Sequence, residues 1–340
     1  MSSISTTPSA SSGRPASIGI GCVKLGGAAA GGARAGVRLV HEALDCGVSM
    51  FDTADVYGNG ASERVLGRAL RRRRERATIA TKAGYVFRER SAAELRARRW
   101  ASPAVTRFAT RGGRQPAPAG GRAYEAKCFT PSHLRRALEA SLRRLATDHV
   151  DLFQLHGPAL PCDDDVLALA EDLRRKGKIG ALGIGLERIG GAETWLGRPG
   201  VTSLQLPFGV LDPEAGASLV PAASERGVAV IARGVFAAGL LGEIPVELEG
   251  ELRPAQRPLR VAVRAAALAH GVDPLAFAAW FARSQPGVTT VLIGTSSSAH
   301  LRANLAHFAA PPPPEDLVAA VDAVLETYRR ATRCEAGGDV

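Results

Sequence analysis

A closed (β/α)₈ barrel, the TIM-barrel form of the α/β class, is the fold this sequence predicts, and three observations predict it. Short apolar, β-rich runs alternate with longer stretches of helical spacing. The runs number eight. The chain, 340 residues with 46% hydrophobic side chains, exceeds the roughly 250 residues such a barrel takes. Alternating strands and helices imply parallel strands joined by crossover helices. Eight repeats favour closure over an open doubly wound sheet.

The elements follow in order. Ile18–Val23 reads as the first strand. Arg34–Cys46 has apolar residues at helical spacing and stops at Gly47. A short run at Val48–Phe51, a helix at Ser62–Arg73 and a strand at Thr78–Thr81 come next. Pro131–Leu145 is a helix with Thr130 as its N-cap and Pro131 in its first position. Val150–Leu155 is a strand and Asp163–Lys176 a helix. Ile179–Ile184, Ser203–Leu206, Val228–Ala232 and Thr290–Ile293 are the remaining strands, with helical stretches between them.

The residues beyond a minimal barrel fall in three places. Residues 1–16 are rich in Ser and Thr and read as a disordered lead. A single barrel domain is expected over 17–332, interrupted by a long Arg-, Gly- and Pro-rich loop at Gly84–Cys128. Loops of that length are functional lids or disordered segments. After Pro311–Pro314 a tail helix is expected at Glu315–Ala331, and 333–340 is a tail.

Composition narrows the function classes. The net charge is +10, yet only five of the 43 basic residues are lysines: Lys24, Lys82, Lys127, Lys176 and Lys178. An excess of Arg can mark nucleic-acid or phosphate binding, but here it runs with abundant Ala and Gly throughout, as a compositional bias does. The Arg71–Arg74 run ends a predicted helix, where it suits the dipole. No aromatic interleaving supports a nucleic-acid partner. The five cysteines (Cys22, Cys46, Cys128, Cys162, Cys334) are odd in number and form no CxxC pair. That argues against a disulfide framework or a metal site and for a reducing compartment. The N-terminus lacks the apolar core of a signal peptide, and no run approaches the ~18 apolar residues of a membrane span. A cytoplasmic protein without a membrane partner is expected. Gly183-Ile184-Gly185 lacks the third glycine and later acidic residue of a dinucleotide fingerprint, so a Rossmann domain is not expected.

Four polar residues fall at or just beyond the C-terminal ends of predicted strands two, three and four. Asp52 ends the second, with Tyr57 in the following loop; Lys82 closes the third and His156 the fourth. In a (β/α)₈ barrel these ends open on one face, where active sites sit. The types fit together chemically. A phenol titrates near 10, and a neighbouring ammonium pulls that down. Lys82 supplies the ammonium, Asp52 holds it charged and oriented, and His156 hydrogen-bonds a carbonyl or hydroxyl oxygen. A proton donor beside a polarised carbonyl is what hydride transfer requires.

FDTADVYG (Phe51–Gly58), TK (Thr81–Lys82) and DLFQLHGP (Asp151–Pro158) resemble segments of the aldo-keto reductase family, in the family's order. The resemblance runs from about Ile18 to Phe308. It implies an NAD(P)-dependent oxidoreductase acting on an aldehyde, ketone or sugar-like small molecule, with the catalytic Asp, Tyr, Lys and His at Asp52, Tyr57, Lys82 and His156.

VLIGTSSSAHLRANL (Val291–Leu305) reads as strand, turn and helix. Its helix-start N–H groups and the hydroxyls of Thr295, Ser296 and Ser297 suit a phosphate, or a plain serine cap. By resemblance, Gly294, Thr295, Ser297, His300 and Asn304 match the family's adenosine-phosphate segment. Gln205 matches its nicotinamide-contacting glutamine, Arg233–Gly234 its pyrophosphate-side loop, and Cys22 and Val23 its first loop. Two departures stand out. Gly185-Leu186 replaces the Ser-Asn pair that many members use to hold the carboxamide; the glycine there resembles the galactose- and fucose-dehydrogenase-like branch. His300 stands where an arginine often clamps the 2′-phosphate, and Ala303 at a nearby acidic position, leaving Arg302 among residues able to supply the charge. NADP(H) is favoured as cofactor and NAD(H) stays open. The alternative is a non-catalytic, cofactor-binding regulatory subunit on the same fold; four intact polar groups argue against it.

Overall fold

The computed structural model describes residues 15–27, 31–87, 124–159, 161, 163–243 and 252–336. Ten strands occur among them: β1 (Ser17–Gly21), β2 (Met50–Asp52), β3 (Thr78–Ala83), β4 (Tyr85–Phe87), β5 (Tyr124–Lys127), β6 (Val150–His156), β7 (Ile179–Gly185), β8 (Val201–Pro207), β9 (Ala229–Arg233) and β10 (Val288–Gly294). Eight of them close a parallel barrel, running β1-β2-β3-β6-β7-β8-β9-β10 and back to β1. The helices are α1 (Gly32–Asp45), α2 (Ala61–Leu70), α3 (Pro131–Leu145), α4 (Asp164–Arg175), α5 (Glu214–Ala217), α6 (Leu219–Glu225), α7 (Gln256–Ala269), α8 (Pro274–Ser284), α9 (Ser298–Ala309) and α10 (Glu315–Ala336). None is by itself long and apolar enough to cross a membrane.

Strand alternation sorts the side chains into two cores. Outward-facing residues such as Phe51, Ile79, Phe153, Leu155, Leu204 and Val230 join the helices in the main core. Inward-facing Met50, Ala80, Leu152, Ile231 and Leu292 form a separate apolar cluster that plugs the barrel. The period of two then sets Asp52, Lys82, Gln154 and Arg233 one step above that plug.

Helix α3 shows how the local code works. Thr130 accepts a hydrogen bond from the His133 N–H at 3.4 Å, and Pro131 follows in the first turn. Leu134, Leu138, Leu142 and Leu145 line its buried face, each stabilising by about 1.5–3 kcal/mol through burial. Its end packs so tightly on α2 that a Cβ on Gly67 would lie 2.4 Å from the Leu145 carbonyl oxygen. Beside that contact Glu63 accepts from Thr81 Oγ1 at 2.7 Å and from Arg144 Nε at 2.6 Å. The strand next to Lys82 is thereby tied to two helices.

Four expectations are corrected. The presumed Gly84–Cys128 loop begins and ends as an antiparallel hairpin, β4 with β5; residues 88–123 lie outside those described. Tyr85-Val86-Phe87 is a run of β-formers too short to read by period. The lead does not extend to residue 16: Ala16 is buried, and its N–H and carbonyl pair with the carbonyl and Nε of Arg283. Residues 1–14 lie outside the description. Helix α10 runs to Ala336, into the presumed tail, because nothing in that stretch stops a helix before Gly337. The crossover after β7 carries only a 3₁₀ turn at Ala192–Trp195, seated by the buried Trp195. Within the arginine run, Arg74 bonds Asp151 at 2.7 Å and Arg73 and Arg76 approach Asp45, so these charges face the protein's own acids.

Candidate active site

Barrel closure brings Asp52, Lys82 and His156 to one mouth. Asp52 and Lys82 are 3% and 1% exposed, and Asp52 Oδ2 lies 2.5 Å from Lys82 Nζ. A buried ion pair stands only if the remaining lone pairs and protons are satisfied. Here Asp52 Oδ1 accepts from Gln154 Nε2 at 3.1 Å and Gln205 Nε2 at 2.8 Å, and Lys82 also donates to the Thr53 carbonyl at 3.1 Å.

Tyr57 enters from the loop after β2. Its N–H donates to the Ala54 carbonyl, and its carbonyl accepts from the Ser62 N–H. Ser62 in turn pairs with Thr53 Oγ1 and donates to the Cys22 carbonyl, both at 2.8 Å. The Lys82 ammonium lies 5.2 Å from the Tyr57 ring centroid, close enough to act on the phenol by its charge. The sequence expectation of a lowered phenol is corrected here. Burial pushes Tyr57 up and outweighs Lys82, which pulls it down, with Asp52 adding to the rise. Burial alone would lower Lys82, but Asp52 and Tyr57 reverse this and hold its ammonium above the usual range. The pair therefore rests as a neutral phenol beside a charged amine.

His156 ends β6, with its ring edge-on to Tyr57 at 5.9 Å between centroids. Burial, then Lys82, Lys127 and Arg233, hold it well below the ordinary histidine range, so the imidazole is neutral. Its Nδ1 is buried without a hydrogen-bond partner among the described residues. An unpaired lone pair costs less there than an unpaired N–H, so the proton belongs on Nε2.

Four further residues at this mouth escaped the sequence reading. Gln154 had a signal, since period two puts it on the same face as His156. Lys127, one of the five lysines, donates to the Gly157 carbonyl at 2.7 Å and to Glu187 Oε1 at 2.9 Å. Tyr85 also donates to Glu187 Oε1. Tyr85 and Glu187 have no sequence pattern that points to them; only the fold brings them together.

The other arc of the mouth holds the expected cofactor residues. Ser297 caps α9, accepting from the His300 N–H at 3.2 Å, and Thr295 Oγ1 donates to the Ser297 carbonyl at 2.9 Å. Asn304 donates to the Gly294 carbonyl at 3.3 Å; Ser296 is half-buried. Arg233 donates to the carbonyls of Leu186 and Glu187, bridging the ends of β9 and β7. Gly234 and Gly294 have open space where a Cβ would stand. Val23 is 54% exposed, an apolar side chain left for a partner to cover. A cationic arc with hydroxyls, a capped helix start and an uncovered apolar edge fits a dinucleotide. Three details cut against particular side-chain contacts. The Cys22 thiol is buried, directed to the Ile20 carbonyl and raised by burial and Asp52, so it is inert. Leu186 lies in the core, so no side-chain amide is offered there. Arg302 is drawn to Glu42 at 2.6 Å, away from the role the sequence left open for it.

Residues 17–326 match the Aldo/keto reductase family. The chain is 27% identical over 301 residues to an oxidoreductase of Bacillus subtilis, covering 85% of each. It is 30% identical over 283 residues to a D-threo-aldose 1-dehydrogenase of a Pseudomonas species, covering 78% of this chain and 80% of that one. The holo form of an aldo-keto reductase from Bacillus halodurans superposes with a TM-score of 0.70 at 25% identity, covering 90% of each chain.

Proposed function

The chain belongs to the aldo/keto reductase family and is an oxidoreductase, and we propose that it moves a hydride between a nicotinamide cofactor and the carbonyl or alcohol carbon of a small aldehyde, ketone or sugar lactol. The observation that carries this reading is the gathering of Asp52, Lys82, Tyr57 and His156, far apart in sequence, at a single mouth. A bound nicotinamide supplies or accepts the hydride. The residues manage the proton and the orientation.

In the reducing direction the neutral Tyr57 phenol gives its proton to the carbonyl oxygen. The Lys82 ammonium stabilises the phenolate left behind, and Asp52 keeps that ammonium charged and aimed. His156 donates from Nε2 to the same oxygen and fixes the carbonyl. In oxidation Tyr57 must first be deprotonated. Because its phenol is raised, the oxidative rate climbs about tenfold per pH unit between pH 7 and 9, while reduction stays flat over that interval.

Arg233, Gly234 and the start of α9 would hold the dinucleotide, offering one guanidinium, an open glycine turn and the first-turn N–H groups to its phosphates. NADP(H) remains the first choice and NAD(H) the second. Since Arg302 pairs with Glu42, a 2′-phosphate is left to His300 and the N–H groups of the α9 first turn. The likeness to an aldose dehydrogenase supports adding sugars to the candidate substrates. A panel of aldehydes, ketones and aldoses, run in both directions with each dinucleotide, tests the proposal. Turnover of at least one carbonyl, with binding visible as quenched NADPH or NADH fluorescence, is expected. No nucleotide binding at millimolar concentration overturns it.

A further inference from the structure

His156 lacks the hydrogen bond that usually fixes a working imidazole, since its Nδ1 has no partner among the described residues. Something else holds the ring. Two phenol rings pack on it: Tyr57, edge-on at 5.9 Å between centroids, and Tyr85, closer and edge-on at 4.8 Å and 82°. Tyr57 is committed to proton transfer in the function proposed above. Tyr85 is buried, and Glu187 and Lys127 anchor it. Its hydroxyl donates to Glu187 Oε1, the Lys127 ammonium sits 5.2 Å over its ring, and Lys127 itself bonds Glu187 and the Gly157 carbonyl. Gly157 follows His156 in the chain, and its N–H donates to the Gly185 carbonyl at 2.7 Å. Its φ is +68°, and a Cβ there would lie 2.8 Å from Glu187 Oε1 and 2.9 Å from Lys127 Nζ. The clamp and the histidine thus share one piece of backbone.

We propose that Tyr85, anchored by Glu187 and Lys127, is a positioning residue that holds the His156 imidazole by edge-to-face packing, with its Nε2 proton turned to the substrate oxygen. The hairpin strands β4 and β5 carry Tyr85 and Lys127, and the β7 end carries Glu187. The function of the clamp is to hold a hydrogen-bond donor in place by edge-to-face ring packing. The inference rests on the assigned role of His156 in substrate orientation, but its test does not need a substrate.

Protein labelled with ¹⁵N at histidine is read by long-range proton–nitrogen correlation, with His156→Gln identifying the resonances of that ring among the seven histidines. The wild type is expected to show a single Nε2–H tautomer. Tyr85→Leu is expected to average the two nitrogens toward tautomer exchange, and Tyr85→Phe, which keeps the ring, to restore the single tautomer. On any carbonyl the enzyme reduces, Tyr85→Leu lowers kcat about tenfold and leaves the NADPH or NADH Kd within about twofold. Glu187→Ala releases Tyr85 and Lys127 together and is expected to give partial averaging; it serves as the test if Tyr85→Leu does not fold. A folded Tyr85→Leu, or failing that Glu187→Ala, with the wild-type nitrogen pattern overturns the proposal, as does a Tyr85→Phe that behaves like Tyr85→Leu. Failure to find any substrate would count against the hydride-transfer function and leave the nitrogen readout standing.

Discussion

The two arcs of the barrel mouth are built differently. On the β2–β3–β6 side, side chains hold side chains: Asp52 is engaged by Lys82, Gln154 and Gln205 at once. On the β9–β10 side, side chains mostly hold backbone: Arg233, Thr295, Ser297 and Asn304 all bond main-chain groups. The first arrangement fixes reacting atoms in a dry place, where misplacing one is costly. The second shapes a chain turn so that main-chain N–H groups can meet an anion. In the proposed function chemistry and binding fall to opposite rims, and substitutions should separate them.

The largest separation is expected at Tyr57. Tyr57→Phe should lower turnover by about 10²–10⁴-fold while cofactor Kd, read by fluorescence quenching, stays within about twofold. Turnover at the wild-type rate would break the comparison by emptying the first arc of its proton donor. Lys82→Met is next. It leaves Asp52 charged and buried without its partner, so urea unfolding should show a loss of about 3–5 kcal/mol along with the loss of activity. Adding Asp52→Asn should return part of that stability and none of the turnover.

The second arc should respond in binding. Arg233→Ala is expected to weaken cofactor binding about tenfold, near 1.4 kcal/mol, with kcat changed less than twofold. Ser297→Ala removes the α9 cap and should cost about 1 kcal/mol of stability, with a few-fold rise in cofactor Kd. The smallest effect is one of pH. Because His156 is held well below its ordinary value, the unfolded chain takes up a proton there that the folded one refuses. That contribution to stability is complete above about pH 6.5 and is lost as pH falls below it. Comparing urea midpoints of wild type and His156→Gln between pH 7 and 5 isolates the slope, which His156→Gln should lack.

The two arcs also differ in how far the sequence reveals them. Asp52, Tyr57, Lys82 and His156 are legible because a strand period of two and a barrel's single open face turn distant letters into neighbours. The phosphate-side turn is legible as a strand, small polar residues and a helix, but what it presents is largely main chain, which no residue type announces. Tyr85 and Glu187 were not legible at all. Their contact spans the ends of two strands that are not neighbours in the sequence, and it depends on a hairpin hidden in an Arg- and Pro-rich stretch. The direction in which Tyr57 is moved differs from the sequence expectation for a related reason. A nearby ammonium can be inferred from the order of residues, whereas the depth of burial that outweighs it is a property of the assembled barrel.

The hydrocarbon plug of Met50, Ala80, Leu152, Ile231 and Leu292 makes the reaction chamber a cul-de-sac. Among the described residues no proton carrier stands beneath Asp52 and Lys82 within that plug, so exchange of the Tyr57 proton is left to the mouth side of the barrel. In the proposed reaction the acidity of the surroundings then acts by setting how much of the enzyme carries the phenol, loaded for reduction, and how much the phenolate, loaded for oxidation.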